Sequence, residues 1–250
     1  MRPGGLLARP AELCAGLRQG VLLGAAVVVM ILPPAGLATA PLRSAQQHGE
    51  ARRVDARIAD FDGHAASADA RLVADWIART QDNRHAPFVI LDKRDARVFV
   101  FDAGARLIDT SPVLLGVAPG DDSVAGIGKR PIAQVRPEER TTPAGRFVSQ
   151  PGRNASGEDV VWVDYADSVS MHRVRPIDPK ERRLERLASN DPAQRRISYG
   201  CINVPVAFFD AVIRPVLGTR PAVVYVLPET RDVGQTFAGV RDRAPVIPRT

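Results

Sequence analysis

Between Ser67 and Arg79 the apolar residues Leu72, Val73, Trp76 and Ile77 recur at spacings of one, three and four with charges between them. That spacing predicts an amphipathic helix. After Pro87 the period shortens. Phe88 to Asp92 reads as a strand, residues 93–95 as a turn, and Arg97 to Phe101 as its hairpin partner; residues 106–115 begin another strand. Residues 116–128, with Pro119-Gly120-Asp121-Asp122, form a turn-rich excursion that continues to Arg140. A turn at 141–145 enters a strand, and residues 159–165 and 169–174 predict two more. Residues 179–189 read as a short basic helix. Residues 204–216 read as a second helix, with Phe208, Phe209, Val212 and Ile213 on one side and Pro215 near its end. Residues 222–227 have the unbroken apolar character of a buried strand, and the polar residues 229–250 read as a loose tail. The expected architecture is mostly β: sandwich-like mixed sheets, a helix after Cys201, and an N-terminal helix added.

Composition fits one ordinary domain with a small appendage: 250 residues, 45% hydrophobic and 25% charged. The 21 prolines and 5% aromatics argue against a helical bundle. A net charge of +6 favours anionic surroundings, but no block of five or more Lys/Arg interleaved with aromatics occurs, so no nucleic-acid partner is expected. The N-terminus narrows the choice. Arg2, Arg9 and Arg18 precede the apolar run 21–32, then Pro33-Pro34 and the small residues 35–40. This is the order of a secretory signal, with cleavage after Ala38 preferred because cleavage after Ala40 would leave Pro41 at the new terminus. The run falls short of the roughly 20 apolar residues that span a bilayer, so no stable span is expected after cleavage; an uncleaved anchor is the alternative. Both place the remainder outside the cytoplasm, in the periplasm or cell envelope. The predicted organisation is a leader over 1–40, a linker and helix over 41–86, a catalytic domain over 87–228 and the tail over 229–250.

Export changes the meaning of the cysteines. Cys14 lies inside the leader, so the mature chain would carry Cys201 alone in an oxidising compartment. Cys201 follows Gly200 on a turn read as leading into a helix. Glycine permits tight backbone geometry, nearby N–H groups can face a developing oxyanion, and a helix start favours the thiolate. A buried structural cysteine is the competing reading. Of four histidines, His172 lies in the alternating strand 169–174, one face of which must be inward. A Cys–His pair needs adjacency in space, and a packed strand histidine is the plainer alternative. No His/Cys/Asp spacing resembles a metal site, and residues 116–128 lack the Gly-Lys-Ser/Thr ending of a phosphate loop, so no cofactor is expected.

The segment Ser198-Tyr199-Gly200-Cys201-Ile202-Asn203 resembles the signature of the L,D-transpeptidase (YkuD-like) family: Ser or Thr, His, Gly, Cys, an apolar residue, then Asn or Arg. The hairpin 89–101, the Thr142-Pro143-Ala144-Gly145-Arg146-Phe147 turn and the upstream strand histidine His172 match in order, over about residues 87–228. Two positions depart: Tyr199 replaces the signature's histidine, and 25 residues separate His172 from Ser198. The resemblance implies Cys201 as nucleophile, His172 as its base, and backbone N–H groups of Tyr199, Gly200 and Cys201 as oxyanion hole. The histidine's orienting group would be the Arg173 carbonyl or Ser198. Tyr199 and Asn203 would shape the pocket, with turn hydrogen bonding the plainer role for Asn203. Arg173, Arg175, Arg182 and Arg183 would meet carboxylates of peptidoglycan stem peptides, against the plainer reading of a solvated charged face. Two alternatives stand beside acyl transfer to an amine: the same site using water, and a wall-binding module whose Tyr199 marks lost activity.

Overall fold

Every residue of β1 (Phe88–Asp92) is buried, which requires cover on both faces of the sheet. The computed structural model describes residues 57–242 and supplies that cover. Val89 and Leu91 enter one core cluster, and Phe88 and Ile90 enter another on the opposite side. β1 pairs antiparallel with β2 (Arg97–Phe101), which pairs with β3 (Leu107–Pro112). On its other edge β1 runs parallel to β10 (Ala222–Val226). From β10 the sheet continues through β5 (Gly145–Arg153), β6 (Asp159–Asp164), β7 (Val169–Arg173) and β9 (Ile202–Val204), in the order β3-β2-β1-β10-β5-β6-β7-β9. A short parallel ribbon joins β4 (Leu115–Gly116) to β8 (Arg196–Ser198). The fold is thus mostly β, one mixed sheet curled until it nearly closes: residues from both of its ends, including Val98, Val100, Met171 and Ile202, share the inner cluster.

The inner cluster is plugged by a helical rod over 206–217: α3 (Val206–Phe208), a π-helical turn over Phe209–Ile213, and α4 (Arg214–Leu217). Pro215 does not end this rod; the wide π turn before it absorbs the missing N–H and the ring. Nor does the rod begin at Val204, which is the last residue of β9. Proline disfavours the α conformation of the residue before it, and Pro205 holds Val204 extended. The basic helix is also shorter than the sequence suggests. A 3₁₀ turn over Pro179–Glu181 is followed by Arg182 in the left-handed region (φ 50°), and only then by α2 (Arg183–Ala188).

The outer face is covered unevenly. Helix α1 (Ala68–Thr80), capped by the Ser67 hydroxyl, lays Ala70, Val73, Ala74 and Ile77 against Phe88, Ile90, Phe99 and Phe101. The segment before it is docked rather than free: Asp60 bridges Arg106, and Phe61 meets the rings of Phe99 and Phe101 edge-on. The helix and its approach therefore share the core of the sheet instead of standing apart from it. The expected loose tail is likewise corrected as far as Asp242. Val233 at the start of α5 (Val233–Thr236), Phe237 and Val240 bury into this outer cluster beside Trp76 and Tyr225. At the far end, α2 covers Leu114, Val174 and Ile197 with Leu187. Between these covers the outer face is partly open on β5, where Val148 and Gln150 are exposed, and at Tyr165 just after β6, while Ser170 on β7 is buried. Residues 1–56, which include the expected leader and most of the expected linker, and residues 243–250 lie outside the described residues. Among the described residues no helix is long and apolar enough to cross a membrane.

Candidate active site

Strand alternation sorts the side chains of β7. Val169 and Met171 point into the inner cluster, which turns Ser170 and His172 to the outer face. The parallel register sets His172 beside Asn203 on β9. Cys201 stands one residue before β9, half-buried, with its Sγ 3.7 Å from Ser170 Oγ and 3.5 Å from the Ser168 carbonyl. The thiol is therefore at a strand start and not at a helix N-terminus, so no helix dipole acts on it. Its acidity has another origin. Burial pushes the thiol up, but the hydrogen bond and charge of His172, with help from Ser170, outweigh burial and bring it below its ordinary value.

The imidazole is oriented by backbone. His172 Nδ1 lies 2.8 Å from the Arg173 carbonyl, which can only accept, so the proton sits on Nδ1 and Nε2 keeps a lone pair. Asn203, almost fully buried, places Nδ2 3.3 Å from Nε2 and 3.3 Å from the Cys201 carbonyl. The amide's direction is fixed by Arg183, whose Nη1 donates to Asn203 Oδ1 at 2.6 Å while its Nε binds Glu181. Asn203 thus ties His172, the Cys201 carbonyl and α2 together.

The turn bearing the thiol is clasped from two sides. Ser198 Oγ donates to the Cys201 carbonyl at 2.6 Å and accepts from the Gly200 N–H at 3.1 Å. That contact removes Gly200 from the expected oxyanion donors. The Tyr199 and Cys201 amides have no acceptor among the described residues and remain for that task. From the other side Thr142, fully buried, donates its hydroxyl to the Gly200 carbonyl at 2.8 Å and accepts from the Gly116 N–H at 3.0 Å. Gly200 has φ +121°, and a Cβ there would lie 2.8 Å from the Thr141 carbonyl, so only glycine fits. Tyr199 is 37% exposed and lies under the Arg140 guanidinium, 3.9 Å from its ring centroid.

The arginines expected to meet carboxylates are mostly occupied. Arg173 points to the inner face, where Asp210 takes it at 2.6 Å and its guanidinium covers the Phe209 ring, so its side chain is directed away from the thiol. Arg175 pairs with Glu158 at 3.3 Å, and Arg182 with Glu185. Sequence reasoning passed over Ser170 and the role of Thr142. The first was findable, because a residue two before His172 on an alternating strand shares its face. The Arg183–Asn203 contact had no sequence signal; it depends on how residues 174–195 fold back.

The sequence matches no family model and no curated protein. Among solved structures, the chain is similar to the catalytic domain of an L,D-transpeptidase from E. faecium, at 16% identity over 57% of this chain and 98% of that one (TM-score 0.34). It is also similar to the helical cell shape determining protein Pgp2 from Campylobacter jejuni, at 15% identity over 58% of this chain and 49% of that one (TM-score 0.38). An L,D-transpeptidase from Mycobacterium smegmatis matches at 14% identity over 56% and 58% (TM-score 0.34). The matched region thus fills nearly all of the isolated E. faecium domain but only about half of the longer chains. What the chain is similar to is thus one isolated L,D-transpeptidase catalytic domain and parts of longer chains.

Proposed function

We propose that the protein is an exported cysteine acyltransferase of the L,D-transpeptidase kind, acting on peptidoglycan stem peptides in the cell envelope. The observation that carries this reading is the acidified Cys201 thiol beside a histidine whose Nδ1 is committed to a carbonyl. In the first half-reaction His172 Nε2 takes the thiol proton and Sγ attacks the carbonyl of the third stem residue, forming a C–S bond. The tetrahedral oxyanion is held by the Tyr199 and Cys201 amides. The amide C–N bond then breaks, and the proton on Nε2 passes to the departing amine of the terminal D-alanine. In the second half an acceptor amine attacks the thioester, gives its proton to His172, and releases the thiolate.

Asn203 Nδ2 lies within donating distance of the Nε2 lone pair and so orients the imidazole. Tyr199 in place of the signature's histidine leaves this chemistry intact, because position 199 contributes its backbone N–H. The side chain is spent on Arg140 instead.

A carbapenem, whose strained lactam carbonyl stands in for the scissile amide, tests the reading. Intact-mass analysis is expected to give a one-to-one adduct, absent in Cys201→Ala and slowed at least 100-fold in His172→Ala. A folded wild-type protein that stays unmodified under excess carbapenem overturns the reading. Conversion of a disaccharide-tetrapeptide to disaccharide-tripeptide and free D-alanine, with no cross-linked product, would assign water as the acceptor.

A further inference from the structure

We infer that the open outer face beside the thiol carries a carbohydrate subsite, formed by Trp162, Tyr165 and Gln150, that holds the N-acetylated sugar bearing the donor stem. The inference rests on the proposed attack at the stem's third residue and adds the part of the substrate that reading leaves unplaced. Trp162 is the cross-strand partner of Ser170, the residue touching Cys201 Sγ, and of Gln150 on its other side. All three therefore share the face that bears His172. A Cβ on Gly152 would lie 2.7 Å from both Cδ1 and Nε1 of Trp162, so the indole rests directly over the glycine backbone. Only a residue without a side chain lets the ring lie there. Tyr165 meets the indole at 75° with ring centroids 5.1 Å apart, forming an aromatic corner, and is itself 77% exposed.

Such a corner fits a pyranose ring. Its apolar C–H face stacks on an aromatic face, while its hydroxyl and acetamido groups reach the rim, where the exposed Gln150 amide stands. A peptide backbone offers a poorer match, because its amide groups ask for hydrogen-bond partners rather than an aromatic face.

The spacing agrees. Cys201 precedes β9, and β7 lies between β9 and β6, so thiol and indole are two strand spacings apart, about 10 Å at about 4.8 Å each. From the attacked carbonyl back to the sugar the chain runs through three residues, at most about 3.4 Å each, and a lactyl ether, which is long enough to reach across that distance.

The test is titration of the purified protein with an N-acetylglucosamine tetramer, following the two indole N–H signals by NMR. Trp162 is expected to shift and Trp76, packed under α5 on the other half of the sheet, to stay. Tyr165→Ala is expected to weaken binding about tenfold, and Cys201→Ala to bind as wild type. In turnover, wild type is expected to prefer disaccharide-tetrapeptide over free tetrapeptide at least tenfold in kcat/KM, and Tyr165→Ala to lose most of that preference. A Trp162 signal unmoved at millimolar tetramer, or equal binding by Tyr165→Ala, overturns the subsite. The carbapenem adduct separates the two readings. An adduct without sugar binding removes the subsite and keeps the acyltransferase. Sugar binding without an adduct keeps Trp162 and Tyr165 as a carbohydrate site and removes the donor role assigned to it.

Discussion

At the scale of single residues, two opposed forces set the reactivity of Cys201. Burial alone would raise the thiol above an ordinary cysteine, and His172 brings it below. The two forces can be separated by removing one. The rate of alkylation by iodoacetamide, followed by mass against pH, is expected to rise with a midpoint below the ordinary value of about 8.5. In His172→Ala the lowering influence is gone and burial remains, so the midpoint should move above that value. An unchanged midpoint in the variant would mean that the imidazole does not act on the thiol. The residues themselves were legible: Gly200-Cys201 and a strand histidine stand out in the sequence. What the sequence did not show was the cause of the acidity. A helix start was expected at Cys201, yet Ile202-Asn203-Val204 is a strand, and Pro205 was the available sign of it. The Gly200 amide was likewise expected to face substrate, but a serine two residues before it captures such a donor locally.

At the scale of elements, strands and hairpins with clear alternation or unbroken apolar runs were readable, because burial on one or two faces leaves its period in the sequence. The segment between β7 and β8 was not, because its course depends on contacts made far along the chain. Arg182 sits in the left-handed region and splits a stretch that reads as one helix. The split turns Arg183, 12% exposed in its side chain, toward Asn203. Residues 174–195, which lengthen the spacing between His172 and Ser198, thereby become part of the site's support. Arg183 is a positioning residue: it holds the Asn203 amide so that Nδ2, rather than Oδ1, faces the imidazole. Arg183→Ala is expected to slow Cys201 acylation about 10- to 100-fold, the scale of a small misplacement of a reacting group, with little change in KM. Arg183→Lys should recover part of the rate, since one donor to Oδ1 suffices. A purely structural role would instead lower thermal stability while leaving the acylation rate per folded molecule unchanged.

For the whole molecule, the thiol's turn depends on a buried ionic cluster that also anchors the C-terminal segment. Lys93, fully buried in the β1–β2 turn, donates to Asp121 at 2.8 Å, to the Thr142 carbonyl at 3.0 Å, and to the Gly120 carbonyl. Asp121 in turn accepts from the Glu229, Thr230 and Arg231 amides and the Thr230 hydroxyl, and Glu229 pairs with Arg196 at the start of β8. Thr142 is the residue that clasps Gly200, so the long excursion, the C-terminal segment and the Gly-Cys turn meet on one lysine. Burial pushes Asp121 up, but Lys93 and the Thr230 contacts outweigh it and hold the carboxyl far below the usual range. A carboxyl lowered in this way stabilises the fold fully above its unfolded value near 4 and loses that share as pH falls below it. Asp121→Asn removes the charge and leaves Lys93 buried with a weaker partner, at a cost of about 3–5 kcal/mol. At about 2–4 °C per kcal/mol, the melting temperature should fall by roughly 6–20 °C, with a shallower loss of stability between pH 5 and pH 3 than in wild type. Because Lys93 also holds the Thr142 carbonyl, carbapenem acylation should slow as well, even at temperatures where the variant is fully folded by circular dichroism. A lowered melting temperature with an unchanged acylation rate would confine the cluster to stability and leave Thr142 to clasp the turn without it.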